Sequence, residues 1–325
     1  MKKALSALTL IAATVVSAIL PAQAQTLPAK PLRIVLPYGT GGATDTVSRQ
    51  IAIQMTSLLG QSVIMENKPG GGGIPAIQDV LSQPADGSTM LNADASHWAI
   101  LPILQNVPYD FTRDFAPLGQ IFTTPQFYVI PTAVPATTLQ EFIALAKAKP
   151  GTLNYGTPGF GGIHHLHGET LKSLLGLDIR YVPYKGGGEA LEALLRNDIQ
   201  LTLTALAVTA EHIKAGKLRV LAVATKQRTP LAPNVPTVAE LTGLKDFEFA
   251  GQLGMVVKNG TPKAVIDRLS AALMKAVMTP ELVQRGANTG IEMVATTPDD
   301  FGALIRGDKV KYAAAIKTAG VQPAK

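Results

Sequence analysis

The stretch LPYGTGGATDTVSRQ (residues 36–50) leaves a β-branched run through Gly39, Gly41 and Gly42 and enters a helix near Asp45. A strand that hands over to a helix in this way aims several unpaired backbone N–H groups, and the positive end of the helix dipole, at the crevice above the sheet. Such a turn can hold an anion. The spacings G-x-x-x-x-G-K-[ST] and G-x-G-x-x-G are both missing from it, so a carboxylate suits it better than a polyphosphate. Taken alone, the glycines are equally well explained as a tight βα connection, and Asp45 is expected to cap the helix rather than touch a ligand.

The alternation continues on either side. RIVLP (33–37) has strand character, and the following segment puts Val47, Ile51, Met55, Leu58 and Leu59 on one helical face before Gly60. VIM (63–65), TMLNA (89–93), LNYG (153–156), IRYVPY (179–184), IQLTLTAL (199–206) and LRVLAVAT (218–225) are further strand candidates. Helices are predicted over IPAIQDVLSQ (74–83), after the capping box Thr138-x-x-Glu141, from about Gly162, and over GEALEALLRN (188–197). Thr261-Pro262, Thr279-Pro280 and Thr297-Pro298 each suggest a helix start with Thr as cap and Pro in the first turn. Regular βα alternation predicts an α/β protein whose sheets are mixed, mostly parallel and covered by helices. The Pro- and Thr-rich stretch 123–138, and a glycine-bounded strand within 243–262, mark two crossings. They predict a discontinuous domain 1 (25–126 and 250–325) around an inserted domain 2 (127–249).

Composition narrows the function. With 325 residues, 46% of them hydrophobic and 16% charged, the chain has the make-up of a well-packed globular protein of two domains. MKK, an apolar run and the small-x-small site Ala22-Gln23-Ala24 make residues 1–24 a secretory signal, cut before Gln25, in preference to a membrane anchor. There is no cysteine for disulfide or thiol chemistry. Cleavage takes Lys2 and Lys3 from a net charge of +6, leaving +4 on a surface without a basic run. Nucleic acid is therefore a poor partner.

Catalytic signals are sparse. No G-x-S-x-G elbow is present, and the cluster His164, His165, His167 has no serine beside it. His165 and Glu169 share an i, i+4 spacing, but no H-E-x-x-H pattern supports a metal site. No metal and no cofactor are expected. One histidine of the cluster is expected to close its loop by hydrogen bonding, and another, assigned to His165, to reach a ligand.

The glycine device recurs. LNYGTPGFGGIHHLHGE (153–169), in the second predicted domain, again leaves a strand through glycines and enters a helix. PYKGGGEALEALL (183–195) does so a third time, and NKPGGGGIPA (67–76) is a fourth glycine turn that could be only a loop. If the first two face each other across a cleft, an anion would be gripped from both sides.

These motifs, with VPYDFTRDFAPLGQI (107–121) and IKAGKLRVLAVATKQRTPLAPNVPTVAE (213–240), occur in the order seen in the Bug-type, or tripartite tricarboxylate transporter, family of periplasmic solute-binding proteins, which the mature chain resembles along its length. The resemblance implies a two-lobed periplasmic-binding-protein fold of type II. It also implies a non-enzymatic, monomeric receptor in the periplasm that closes on a small organic carboxylate and hands it to integral membrane permease subunits. Carried over residue by residue, the ligand would meet Tyr38, Gly39, Gly41, Gly42 and Ala43 on one side, and Thr157, Gly161 and Gly162 on the other. Ala95, Ser96, His97 and Trp98 match the family's pocket-lining segment. Thr40 replaces a frequent proline, and Thr204 stands where many relatives carry aspartate. The latter argues for a mono- or dicarboxylate without an ammonium group. Trp98 either packs a helix start into the core or offers its face to an aromatic, phthalate-type acid. Two alternatives remain at this point: a sensory receptor of the same fold reporting to a membrane kinase, and a secreted hydrolase using the His164–His167 cluster.

Overall fold

The structure is a computed structural model and describes residues 27–40, 43–158, 163–184, 187–245 and 247–322. The expected signal segment 1–24 lies outside the described residues. Among them, eleven strands form two sheets: β1 (Leu32–Leu36), β2 (Val63–Asn67), β3 (Thr89–Ala93), β4 (Phe115–Pro125), β5 (Phe127–Pro131), β6 (Asn154–Pro158), β7 (Arg180–Tyr184), β8 (Leu201–Thr204), β9 (Leu218–Val223), β10 (Ala250–Lys258) and β11 (Glu292–Met293). The first sheet has the order β11-β4-β10-β3-β1-β2, the second β7-β6-β8-β5-β9.

Both sheets are mixed: most strands of each point one way, but neighbour pairs are antiparallel in three of five cases in the first sheet and two of four in the second, so the expected mostly parallel pairing is not found. β1, β2, β3 and β4 run one way against β10 and β11, and β6, β7, β8 and β9 run one way against β5. The reversals come from the crossings. β4 ends at Pro125, Gln126 is the single residue between, and β5 starts in the other sheet at Phe127. Chain that runs towards the crossing in the first sheet therefore runs away from it in the second. The strands antiparallel to β5 accordingly end where β1, β3 and β4 end. The second crossing returns the chain to the first sheet at Ala250, opposite Pro125.

Period-two alternation decides which side chain faces which layer. On β10, Leu253, Met255 and Val257 join one core with Leu32 and Ile34 of β1, while Val256 joins another with Val35. On β5, Phe127 and Val129 point to a third core and Tyr128 and Ile130 to the core shared with Val35. This shared core spans both sheets because the helix Pro298–Ala319 contributes Phe301, Ile305, Tyr312 and Ile316 to it and packs on the helix Ile163–Leu175.

Several local expectations need revision. Leu58 is exposed, whereas Val47, Ile51, Met55 and Leu59, spaced four apart, form the buried stripe. Of the three Thr-Pro pairs, only Thr297 caps its helix, accepting from the Asp300 N–H at 3.2 Å. Thr279 holds the cap position but its hydroxyl donates back to Ala276 O at 3.1 Å, and Thr261 precedes the cap, because Pro262 occupies it. Thr138 does cap, accepting from the Glu141 N–H at 3.1 Å, but the Glu141 carboxylate accepts from the N–H and hydroxyl of Thr137 instead of completing the box. Among the described residues no helix is long and apolar enough to cross a membrane.

Candidate functional site

Where the strand ends of the two sheets meet, a cleft of about 370 Å³ opens. The first sheet supplies Asp94, Ala95 and Ser96, just after β3, and Thr44 at the start of the helix Ala43–Leu59. The second supplies Thr204 and Ala205 at the end of β8, His164 and Gly187 at helix starts, and Val208. Both crossings line it as well, through Phe122, Thr124 and Gln126 on one chain and Gly251, Gln252 and Leu253 on the other. A guest here touches both sheets and both crossings at once.

Its electrostatics are set by neighbours. Asp94 is held by the Tyr38 hydroxyl, by the Ser96 N–H at 2.9 Å, and by His97 Nδ1 at 2.9 Å. Burial opposes its ionisation, but His97 and these hydrogen bonds outweigh it and keep the carboxyl below its usual range. His164 Nε2 lies 2.9 Å from Gln126 Oε1, and burial pushes its imidazole down to about 4, so it is neutral at pH 7. Gln126 in turn donates to Thr124 O at 3.0 Å, which ties the ring to the crossing itself. The amide oxygen of Gln252 is buried without a protein partner. The described lining contains no Lys or Arg. An anion in this space must be held by backbone N–H groups, hydroxyls and amides.

The turn that opens the sequence is pinned from β2. Asn67 donates to Tyr38 O at 3.0 Å and to Asp45 Oδ1 at 2.9 Å, and Arg49 pairs with the same carboxylate at 3.0 Å. Asp45 lies in the helix's first turn, buried. Gly41 and Gly42, and Gly161 and Gly162, lie outside the described residues. Ala43 begins the helix.

The remaining sequence candidates separate. Ala95, Ser96 and Thr204 line the cleft. Tyr38, Gly39 and His97 face a second cavity that adjoins it at Ser96. Thr157 is fully buried and donates to the Tyr181 hydroxyl at 3.4 Å. Trp98 is a correction: it is 1% exposed, its indole N–H donates to Asp308 at 3.0 Å, and its ring meets Phe301 edge-on at 5.5 Å, so it offers no face to a ligand.

The histidine cluster is also dispersed. His165 stacks on Tyr181 at 4.0 Å and is absent from the cleft's described lining, where His164 of the cluster is found. His167 is wholly buried against Phe249 with neither ring nitrogen partnered. Helical geometry explains this, since successive residues turn by about 100° and residues 164, 165 and 167 face three directions. Glu169 pairs with Lys172 at 2.7 Å and accepts from Tyr155, and among the described residues no three His, Asp or Glu side chains gather as a metal site.

The sequence reading missed Thr44, Asp94, Gln126, His164 and Gln252. The dipeptides around Gln126 and Gln252 carry no motif, and their place in the cleft follows only from the two crossings.

Residues 47–321 match the sequence profile of the Tripartite tricarboxylate transporter family receptor. The chain is 33% identical over 303 residues to a UPF0065 protein of Bordetella pertussis (strain Tohama I), covering 93% of each. Among solved structures it superimposes on R. palustris Rpa4515 with adipate at a TM-score of 0.76, with 29% identity, covering 91% of this chain and 99% of that one. It superimposes on the periplasmic binding protein BugD at 0.72, with 30% identity, covering 91% and 100%. A cleft built from two such sheets, in a chain matched nearly end to end, makes this protein a Bug-type member of the tripartite tricarboxylate transporter receptor family, with the two-lobed periplasmic-binding-protein fold.

Proposed function

We propose that the mature chain is an exported, non-enzymatic receptor that captures a small carboxylate, without an ammonium group, by closing its lobes and delivers it to a tripartite tricarboxylate-type membrane transporter. The lobes are 25–126 with 250–325, and 127–249, hinged at the crossings beside Gln126 and Ala250. The observation that carries this reading is the cleft itself, whose walls come from both sheets and whose described lining has hydroxyls and amides but no cation. Closure would exclude water, and in that lower dielectric a few charge-assisted hydrogen bonds suffice. At on the order of 1.5–3 kcal/mol each, four or five of them total roughly 6–15 kcal/mol, a range that includes the ~8 kcal/mol of a micromolar complex. Adipate bound to Rpa4515 supports an aliphatic diacid as the first class to try.

A thermal-shift panel of aliphatic and aromatic mono- and dicarboxylates tests this. An acid at about 100 times its Kd stabilises the folded chain by roughly 2.7 kcal/mol. A panel in which no organic acid raises Tm, while an amino acid or sugar does, would refute the carboxylate reading. Turnover of a carboxylate ester that disappears in His164→Ala would refute the receptor.

A further inference from the structure

The glycine run Gly70–Gly73, the fourth of the glycine turns, takes no part in the cleft. It walls a larger cavity of about 620 Å³ on the first lobe, which among the described residues shares Ser96 alone with the cleft. Tyr38, whose hydroxyl grips Asp94 on the cleft side, forms part of the partition. All four glycines have positive φ, from 54° to 99°. A Cβ at Gly73 would run into the His97 ring and lie 2.9 Å from Pro37, and one at Gly72 would lie 3.3 Å from Leu101. Side chains are thus kept out of this wall.

The cavity's chemistry differs from that of the cleft. Leu101 and Leu104 from one side, and Pro37 and Pro69 from the other, give it apolar walls. His97 is the buried polar group among them, only 2% exposed. Its Nδ1 is engaged by Asp94, whose Oδ1 lies 2.9 Å away and whose backbone N–H donates to it at 3.2 Å, whereas Nε2 lies on the Gly73 side beside the cavity. A guest's hydroxyl or carbonyl group is a fitting partner for that nitrogen, which either donates or accepts according to its tautomer. The described lining holds no Lys or Arg and is mostly apolar, which suits a neutral guest. The volume falls within the roughly 300–1,000 Å³ typical of small-molecule sites.

We propose that this cavity is a second binding site, separate from the cleft, for a neutral, mostly apolar, ring-sized molecule bearing one hydroxyl or carbonyl group that bonds to His97 Nε2.

The test is a ¹⁹F NMR titration of the full mature chain with 4-fluorophenol. Wild-type protein is expected to bind it saturably. Leu104→Trp and Gln105→Trp, which fill the cavity from its own wall, should each raise the Kd about tenfold or more. Val208→Trp, which fills the cleft from an exposed position, should leave it unchanged. Circular dichroism checks that each variant is folded, and two filling variants are used because both residues are half-buried. Absence of saturable binding to wild type, loss of binding in Val208→Trp, or undiminished binding in both filling variants overturns the proposal.

Discussion

At the scale of single residues, His167 shows how burial becomes pH dependence. It has no hydrogen-bond partner, and burial, with His164 and Lys311 nearby, holds its imidazole well below the ordinary value of 6.5. The unfolded chain takes up a proton near pH 6.5 that the folded chain refuses, so stability falls as pH drops below that point. The slope is up to about 1.4 kcal/mol per pH unit for each such group. His164 adds to this between pH 6.5 and about 4. His167→Phe, which keeps a ring against Phe249, should therefore flatten the loss of stability between pH 7 and 5. Urea unfolding at the two pH values checks it, and an unchanged slope would show that His167 is protonated in the fold. Trp98→Phe should cost about 1–3 kcal/mol by taking a donor from the buried Asp308 carboxylate, while leaving acid affinity unaltered in calorimetry.

At the scale of elements, packing of helices on strands depends on a few close approaches. Gly254 on β10 seats the ring of Phe301 from the C-terminal helix, and a methyl group there would run into it. Gly254→Ala should destabilise by roughly 1–3 kcal/mol, and Phe301→Leu in the same chain should recover part of the loss, as a double-mutant cycle would show. The helix caps give a second comparison. Thr297→Ala removes a side-chain cap and should cost about 1 kcal/mol, whereas Thr279→Ala removes none and should cost less. Equal losses in the two variants would contradict the assigned roles. The identical Thr-Pro spelling hides this difference, because the cap is fixed by where the incoming chain leaves the preceding turn.

At the scale of the molecule, the two crossings put the proposed hinge and the proposed ligand cleft in one place. Gln126 sits between β4 and β5, accepts from the Ala224 N–H at 2.8 Å through its backbone, and pairs with His164 through its side chain. If the lobes close on their guest, an acid that raises Tm should also lower the radius of gyration in X-ray scattering. Gln126→Ala should weaken that acid by about tenfold, the value of one charge-free hydrogen bond lost together with its positioning of His164. A raised Tm with unchanged scattering would mean that the lobes are already shut.

Most strands and helices were legible in the sequence, because short apolar runs such as TMLNA, buried along its length, and four-spaced stripes such as Val47, Ile51, Met55 and Leu59 are local consequences of backbone geometry, whereas β4 and the helix Leu206–Lys214 were not read. The site was only half visible. Ala95, Ser96 and Thr204 could be placed through the family resemblance, but Gln126 and Gln252 enter the cleft because two distant crossings run side by side, a relation between residues more than a hundred positions apart. Burial of Trp98 and the dispersal of the three histidines likewise depend on which neighbour each helix face meets, and that is settled by tertiary packing alone.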